Sequence, residues 1–113
     1  MTPGSSAVSA TSDAYTDQSS LAQNKGTDSL YVKSESGSKN QRALVGFALP
    51  TVPALCAVTS ATLLVYNSSP VSGRMIDDYQ AAATWAEGTV TWVTQPGTTG
   101  TDVGTVPTAT AGL

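Results

Sequence analysis

Apolar and polar residues alternate along this chain with a period of two, in short runs separated by Gly, Pro, Asn and Ser. That period is the signature of a half-buried strand, whose successive side chains point to opposite faces. In residues 29–33 the pattern puts Leu30 and Val32 on the inner face and Tyr31 on the outer. In 42–49 it puts Ala43, Val45, Phe47 and Leu49 inward; Pro50 and Pro53 then end the ladder, because proline lacks the N–H a ladder needs. The longest run is 57–66, where Ala61, Leu63 and Val65 alternate with Thr62, Leu64 and Tyr66. Shorter runs predict strands at 12–17 (Ala14 and Thr16 opposite Tyr15) and 74–81 (Ile76 and Asp78 opposite Met75, Asp77 and Tyr79), and a Thr/Val/Gly-rich final strand or tail at 101–110. Residues 89–93 form another, β-branched run, with Thr89, Thr91 and Val93 opposite Val90 and Trp92. The consecutive alanines within 80–86 offer a competing helical turn. Asn24-Lys25-Gly26, the 35–41 loop, Glu87-Gly88 and 96–100 carry turn residues. Short strands with turns every 8–12 residues or so predict an all-β sandwich or barrel.

Composition narrows this further. At 113 residues the chain is expected to hold one domain. It is 40% hydrophobic but only 12% charged, a balance typical of secreted all-β modules rather than helical proteins. A net charge of −3 with 5 basic residues leaves no basic stripe for nucleic acid or for an anionic membrane surface. No apolar run is long enough to insert into a membrane as a helix. Cys56 is the single cysteine, so no internal disulfide forms, and its expected role is that of a small buried hydrophobe. The chain has no histidine and no nucleophile motif, which removes the usual partners for thiol, hydroxyl or metal-assisted catalysis. Residues 1–11, rich in Ser, Ala, Thr, Gly and Pro, are expected to form a flexible leader or linker, with the module occupying 12–113.

Five segments in order carry a family likeness: Asp13-Ala-Tyr-Thr-Asp-Gln-Ser-Ser; Asn24-Lys-Gly-Thr-Asp-Ser-Leu-Tyr-Val-Lys-Ser; Arg42-Ala-Leu-Val-Gly-Phe-Ala-Leu; Cys56-Ala-Val-Thr-Ser-Ala-Thr-Leu-Leu-Val-Tyr; and Trp85-Ala-Glu-Gly-Thr-Val-Thr-Trp-Val-Thr-Gln-Pro. Together they resemble the DNRLRE domain, the group that includes carbohydrate-binding module family 96 and the disaggregatase-related repeats. The resemblance implies a jelly-roll-like antiparallel β-sandwich within a larger extracellular or cell-wall-associated protein, binding polysaccharide and doing no chemistry. It covers roughly residues 12–105. Gly46, Ala48 and Lys25 depart from the family pattern, which usually has a charged residue, an aspartate and a tyrosine there. The resemblance also implies closing strands beyond residue 113. The segment is therefore expected to be the first half to two-thirds of a module, marginal alone, and completed by strands from a neighbouring segment or chain.

Within that frame, Trp85, in the loop before the 89–93 run, is the leading ligand platform: the apolar face of a sugar packs well on an indole. Trp92, sharing a face with Val90, is expected in the core. Tyr31 is a further aromatic candidate, with Tyr15, Tyr66 and Tyr79 behind it. Arg42 and Arg74 are candidate donors to sugar hydroxyls or carboxylates. Asp13, Asp17 and Asp28, with Asn24 and Thr27, lie in one polar arc and are candidate ligands for a structural calcium, which takes six to eight oxygens. No EF-hand spacing is present, and turn formation by Asp and Asn is the competing account. Asp77 and Asp78 alternate across their strand and cannot form a catalytic pair with each other. The alternative to sugar binding is a structural spacer or adhesion module.

Overall fold

The computed structural model describes residues 8–48, 50–59, 62–64, 66, 68 and 75–107. Four strands run in the order β1 (Ala10–Asp17), β2 (Gln41–Phe47), β3 (Met75–Ala81) and β4 (Thr98–Pro107), and no helix occurs among the described residues. The architecture is all-β, with antiparallel strands in two small sheets, β1–β2 and β3–β4, and fits the sandwich class expected from the alternation. β1 starts at Ala10, inside the stretch read as a leader. The chain divides into two compact units: one combines Thr2–Pro50 with Ala81–Gly97, the other Thr51–Gln80 with Thr98–Leu113.

In the first unit β1 and β2 pair antiparallel, with Asp13 opposite Val45, Tyr15 opposite Ala43 and Asp17 opposite Gln41. Directly opposed residues share a face. Ser12, Ala14, Thr16, Arg42, Leu44 and Gly46 therefore form one face, and Asp13, Tyr15, Asp17, Gln41, Ala43 and Val45 the other. Ala14, Tyr15, Thr16 and Asp17 are nevertheless all buried. Alternation predicts one wet face; here both are covered. The 84–95 loop lies on the first face, where Gln95 Oε1 accepts from Thr16 Oγ1 at 2.7 Å and the Trp92 ring sits 4.9 Å from the Arg42 guanidinium carbon. The 25–31 segment lies on the second, where Tyr31 meets Tyr15 edge-on with centroids 5.2 Å apart. Under the same cover the residues of β2 are half-buried up to Gly46 except Arg42, which is exposed, as is Phe47.

The outer edge of β1 is also closed. Lys25 bridges Tyr15, Ser20 N–H donates to the Asp17 carbonyl at 3.0 Å, and Asp13 N–H donates to Glu87 Oε1 at 2.8 Å. Unpaired strand edges invite foreign strands, so this capping suits a small sheet. Residues 29–33, read as a strand, contribute only the Lys33–Gln41 bridge, leaving Tyr31 and Val32 exposed.

The largest departure is at 89–93. The expected strand is replaced by two turns, at 87–89 and 92–94. The Thr89 and Val90 N–H groups both donate to the Ala86 carbonyl, at 3.2 and 3.0 Å, and Gln95 N–H donates to the Thr91 carbonyl at 2.8 Å. Thr94 Oγ1 accepts from Thr91 N–H at 2.9 Å, and Thr91 Oγ1 accepts from Thr94 N–H at 3.3 Å. Threonine hydroxyls thus satisfy backbone groups that a ladder would otherwise need. The expected facing is lost as well: Val90 and Thr91 are both buried, while Trp92 is half-exposed on Arg42.

In the second unit β3 follows its pattern, with Ile76 and Asp78 half-buried and Met75, Asp77 and Tyr79 exposed. The described residues of 57–66 form no strand, and Val58, Leu63, Leu64 and Tyr66 are exposed; Ala61 and Val65 lie outside the described residues, as do Leu49 and Arg74. Strand propensity becomes a strand only where a neighbouring backbone supplies hydrogen bonds, so it is the most context-dependent of local preferences. Cys56 N–H closes a turn onto the Pro53 carbonyl at 3.1 Å, and Cys56 is half-buried rather than enclosed.

Candidate functional site

The 82–97 loop carries both tryptophans and is closed at its base, where Ala82 N–H donates to the Gly97 carbonyl at 2.8 Å. Its first half forms the turn 86–90, which two further contacts fasten. Asn24 Nδ2 donates to the carbonyls of Glu87 and Val90, both at 2.8 Å, while Asn24 Oδ1 accepts from Gly26 N–H at 3.2 Å. Glu87 reaches the β1 edge at Asp13. The indole of Trp85 stands just before this fastened turn, against β2. A Cβ on Gly46 would lie 3.5 Å from Trp85 Cζ2 and from Ser12 Cβ. A glycine there lets the ring lie close over the strand without a side chain beneath it.

Trp85 is the common wall of two shallow open grooves. One, of about 400 Å³, is lined by Thr84, Trp85, Ala86, Thr89, Val90 and Thr94. The other, of about 480 Å³, runs between Trp85, Phe47 and Gly46, past Thr11, Ser12 and the 81–84 segment. Their chemistry is a half-buried indole and a phenyl ring among threonine and serine hydroxyls. Such a surface packs against flat apolar faces and exchanges hydrogen bonds at their rims.

Carbohydrate-binding module family 96 matches residues 4–112. The chain belongs to that family. No curated protein and no solved structure matches it. Membership in this carbohydrate-binding family gives the grooves beside Trp85 their interest, and no helix of the described residues is long and apolar enough to cross a membrane.

The other candidate residues of the module are dispersed. Arg42 shares the sheet face of Gly46, but four positions along β2 it lies on Trp92, roughly 13 Å away at about 3.3 Å per residue. Tyr31 is exposed over Tyr15 on the opposite face. The aspartates of the polar arc do not come together around a cation. Asp17 Oδ1 accepts from Ser19 N–H at 2.8 Å and Ser19 Oγ at 2.6 Å, Asp17 Oδ2 accepts from Gln41 Nε2 at 3.1 Å, and Asp28 faces Lys25 Nζ at 3.9 Å. Asn24 is committed to the 86–90 turn. Among the described residues no group of three or more carboxylate or cysteine side chains is placed to hold a metal. Asp17 and Asn24 each accept from the N–H two residues on, closing local turns.

The hydrogen bonds from Ser19, then Gln41, hold the Asp17 carboxyl below the usual aspartate value of about 3.9. A folded-state value below the unfolded one contributes stability that is present above the unfolded pKa and lost as pH falls through the folded one. The urea midpoint should therefore drop as pH is lowered from about 5 through the carboxylate range, and Asp17→Asn should flatten that acid limb. An unchanged slope in the variant would assign the acid sensitivity to other groups.

Sequence reading puts Phe47 inward, Asn24 in the polar arc and Glu87 in a turn, and assigns none of them, nor Gly46, to the grooves beside Trp85 or their support; Phe47 is instead exposed. The turn character of Asn24-Lys25-Gly26 and Glu87-Gly88 was available, and both segments lie in turns, but nothing local in either tells that the two dock on each other.

Proposed function

We propose that this module binds polysaccharide without catalysis, in an extracellular or cell-wall-associated protein, and that Trp85 is its platform. The observation that carries the reading is the half-buried indole shared by two grooves whose rims are threonine and serine hydroxyls. A pyranose ring offers an apolar C–H face to the indole and equatorial hydroxyls to the rim. Arg42, lying over the Trp92 ring yet exposed, offers N–H donors to a longer chain running along the same face. Tyr31 is a second, separate aromatic contact on the other face. A non-catalytic role is supported by the absence of histidine and by the engagement of Asp17 and Glu87 with backbone N–H groups.

The test is Trp85→Ala. In affinity electrophoresis against alginate, pectin, xylan and cellulose-derived glucan, the variant should lose about tenfold or more in affinity for whichever polymer retards the wild type, a change of roughly 1.4 kcal/mol. Its thermal transition should remain. No retardation of the wild type by any polymer, or equal retardation of the variant, sinks the reading. The second reading, a spacer or adhesion module, draws on the exposed Leu63, Leu64 and Tyr66, which offer apolar surface to another domain. It gains if Trp85→Ala changes nothing.

A further inference from the structure

We infer that Glu87 is a positioning residue that sets the width of the groove between Trp85 and β1, an inference that deepens the polysaccharide-binding reading and rests on it. The two walls of that groove are Trp85, from the 82–97 loop, and Thr11-Ser12, from β1. One hydrogen bond ties the walls together next to the groove: Asp13 N–H, adjacent to Ser12, donates to Glu87 Oε1 at 2.8 Å, two residues beyond Trp85. The contact joins positions 74 apart in sequence, so no local preference creates it.

Solvent reaches this bond. Water would satisfy the Asp13 amide if the carboxylate were removed, so the bond adds little to global stability. Its consequence is geometric. The backbone of the 86–90 turn is fastened to Asn24 through the carbonyls of Glu87 and Val90. The Glu87 side chain is the contact that fixes the same turn to the β1 edge beside Ser12. Without it the segment carrying Trp85 is held by the Ala82–Gly97 bond on one side and the Asn24 clamp on the other, neither of which reaches β1. A platform must be held in place before the ligand arrives if binding is not to spend energy on ordering it.

The experiment uses the full chain carrying Trp92→Phe, so that Trp85 is the only indole, and compares Glu87→Ala with Glu87→Gln. A glutamine retains an Oε1 acceptor for the Asp13 N–H; an alanine does not. Glu87→Ala should raise the acrylamide quenching constant of Trp85 about twofold, shift the Asp13 amide resonance, and weaken affinity for the retained polysaccharide about three- to tenfold, with the thermal midpoint within a few degrees. Glu87→Gln should restore quenching and affinity together. Wild-type quenching and affinity in Glu87→Ala, or failure of Glu87→Gln to restore them, overturns the inference. Quenching needs no ligand: if Trp85→Ala binds normally while Glu87→Ala still exposes the indole, the reading of Trp85 as the sugar platform fails and the positioning of Trp85 by Glu87 stands.

Discussion

Gly26→Ala is expected to cost about 3 kcal/mol of stability, near the top of the range for inserting a methyl group where backbone already stands. A Cβ on Gly26 would fall well inside contact distance of the Glu87 carbonyl oxygen, 3.1 Å from the Glu87 carbonyl carbon and 3.2 Å from Asn24 Oδ1. None of these atoms can swing aside like the tip of a long side chain. The Glu87 carbonyl is held by Asn24 Nδ2, and Asn24 Oδ1 by the Gly26 amide itself. Relief requires the 24–26 turn to back away from the 86–90 turn, which gives up the Asn24 clamp. Gly88→Ala is the matched control, since nothing lies within 4 Å of its added methyl. It should leave the urea midpoint unchanged or slightly raised. If the two alanine variants unfold at the same urea concentration, the docking of these turns is not what holds the loop.

Asn24→Asp should be nearly as damaging, at about 3 kcal/mol, and worse than Asn24→Ala at about 2 kcal/mol. The amide nitrogen donates to two carbonyls at 2.8 Å, and an ionised carboxylate has no proton for either. Alanine merely leaves the carbonyls of Glu87 and Val90 without a partner. The carboxylate sets a negative oxygen against them, with Val90 itself only 3% exposed. The sign with pH follows. A carboxyl that is easier to keep protonated in the folded state has a raised folded pKa, so the Asn24→Asp penalty should shrink as pH falls through that value and one O–H donor returns. Urea titrations at pH 7 and near pH 4 read this directly. A penalty that is the same at both, or smaller than that of Asn24→Ala, would mean that Asn24 Nδ2 is not the clamp.

Both variants act at a place that sequence reading describes only as two unrelated turns. Much else was readable. The all-β class, β2, β3 with its facing, and the turns at Asn24-Lys25-Gly26 and Glu87-Gly88 follow from alternation and turn chemistry. So does the exposure of Tyr31. The 89–93 segment was not readable in this way, because Thr and Val favour a strand but threonine hydroxyls also complete turns, and no strand among the described residues pairs with it. The 57–66 segment failed for a related reason: its propensity is high, yet its described residues form no ladder. The calcium arc was read from carboxylate density along the chain, whereas Ser19, Gln41 and Lys25 occupy Asp17 and Asp28 in space.

Sequence by itself determined what the residues can be: alternating segments suited to sheets, a family likeness carried by ordered motifs, and an indole in a loop of hydroxyl-bearing residues. Tertiary structure alone decided which segments found partners and where that indole stands. The reason is that side-chain period and turn chemistry are local properties, set within a few bonds. A groove wall, a clamped carbonyl or a carboxylate on a distant amide exists only once residues far apart in the chain, such as Asp13 and Glu87, meet.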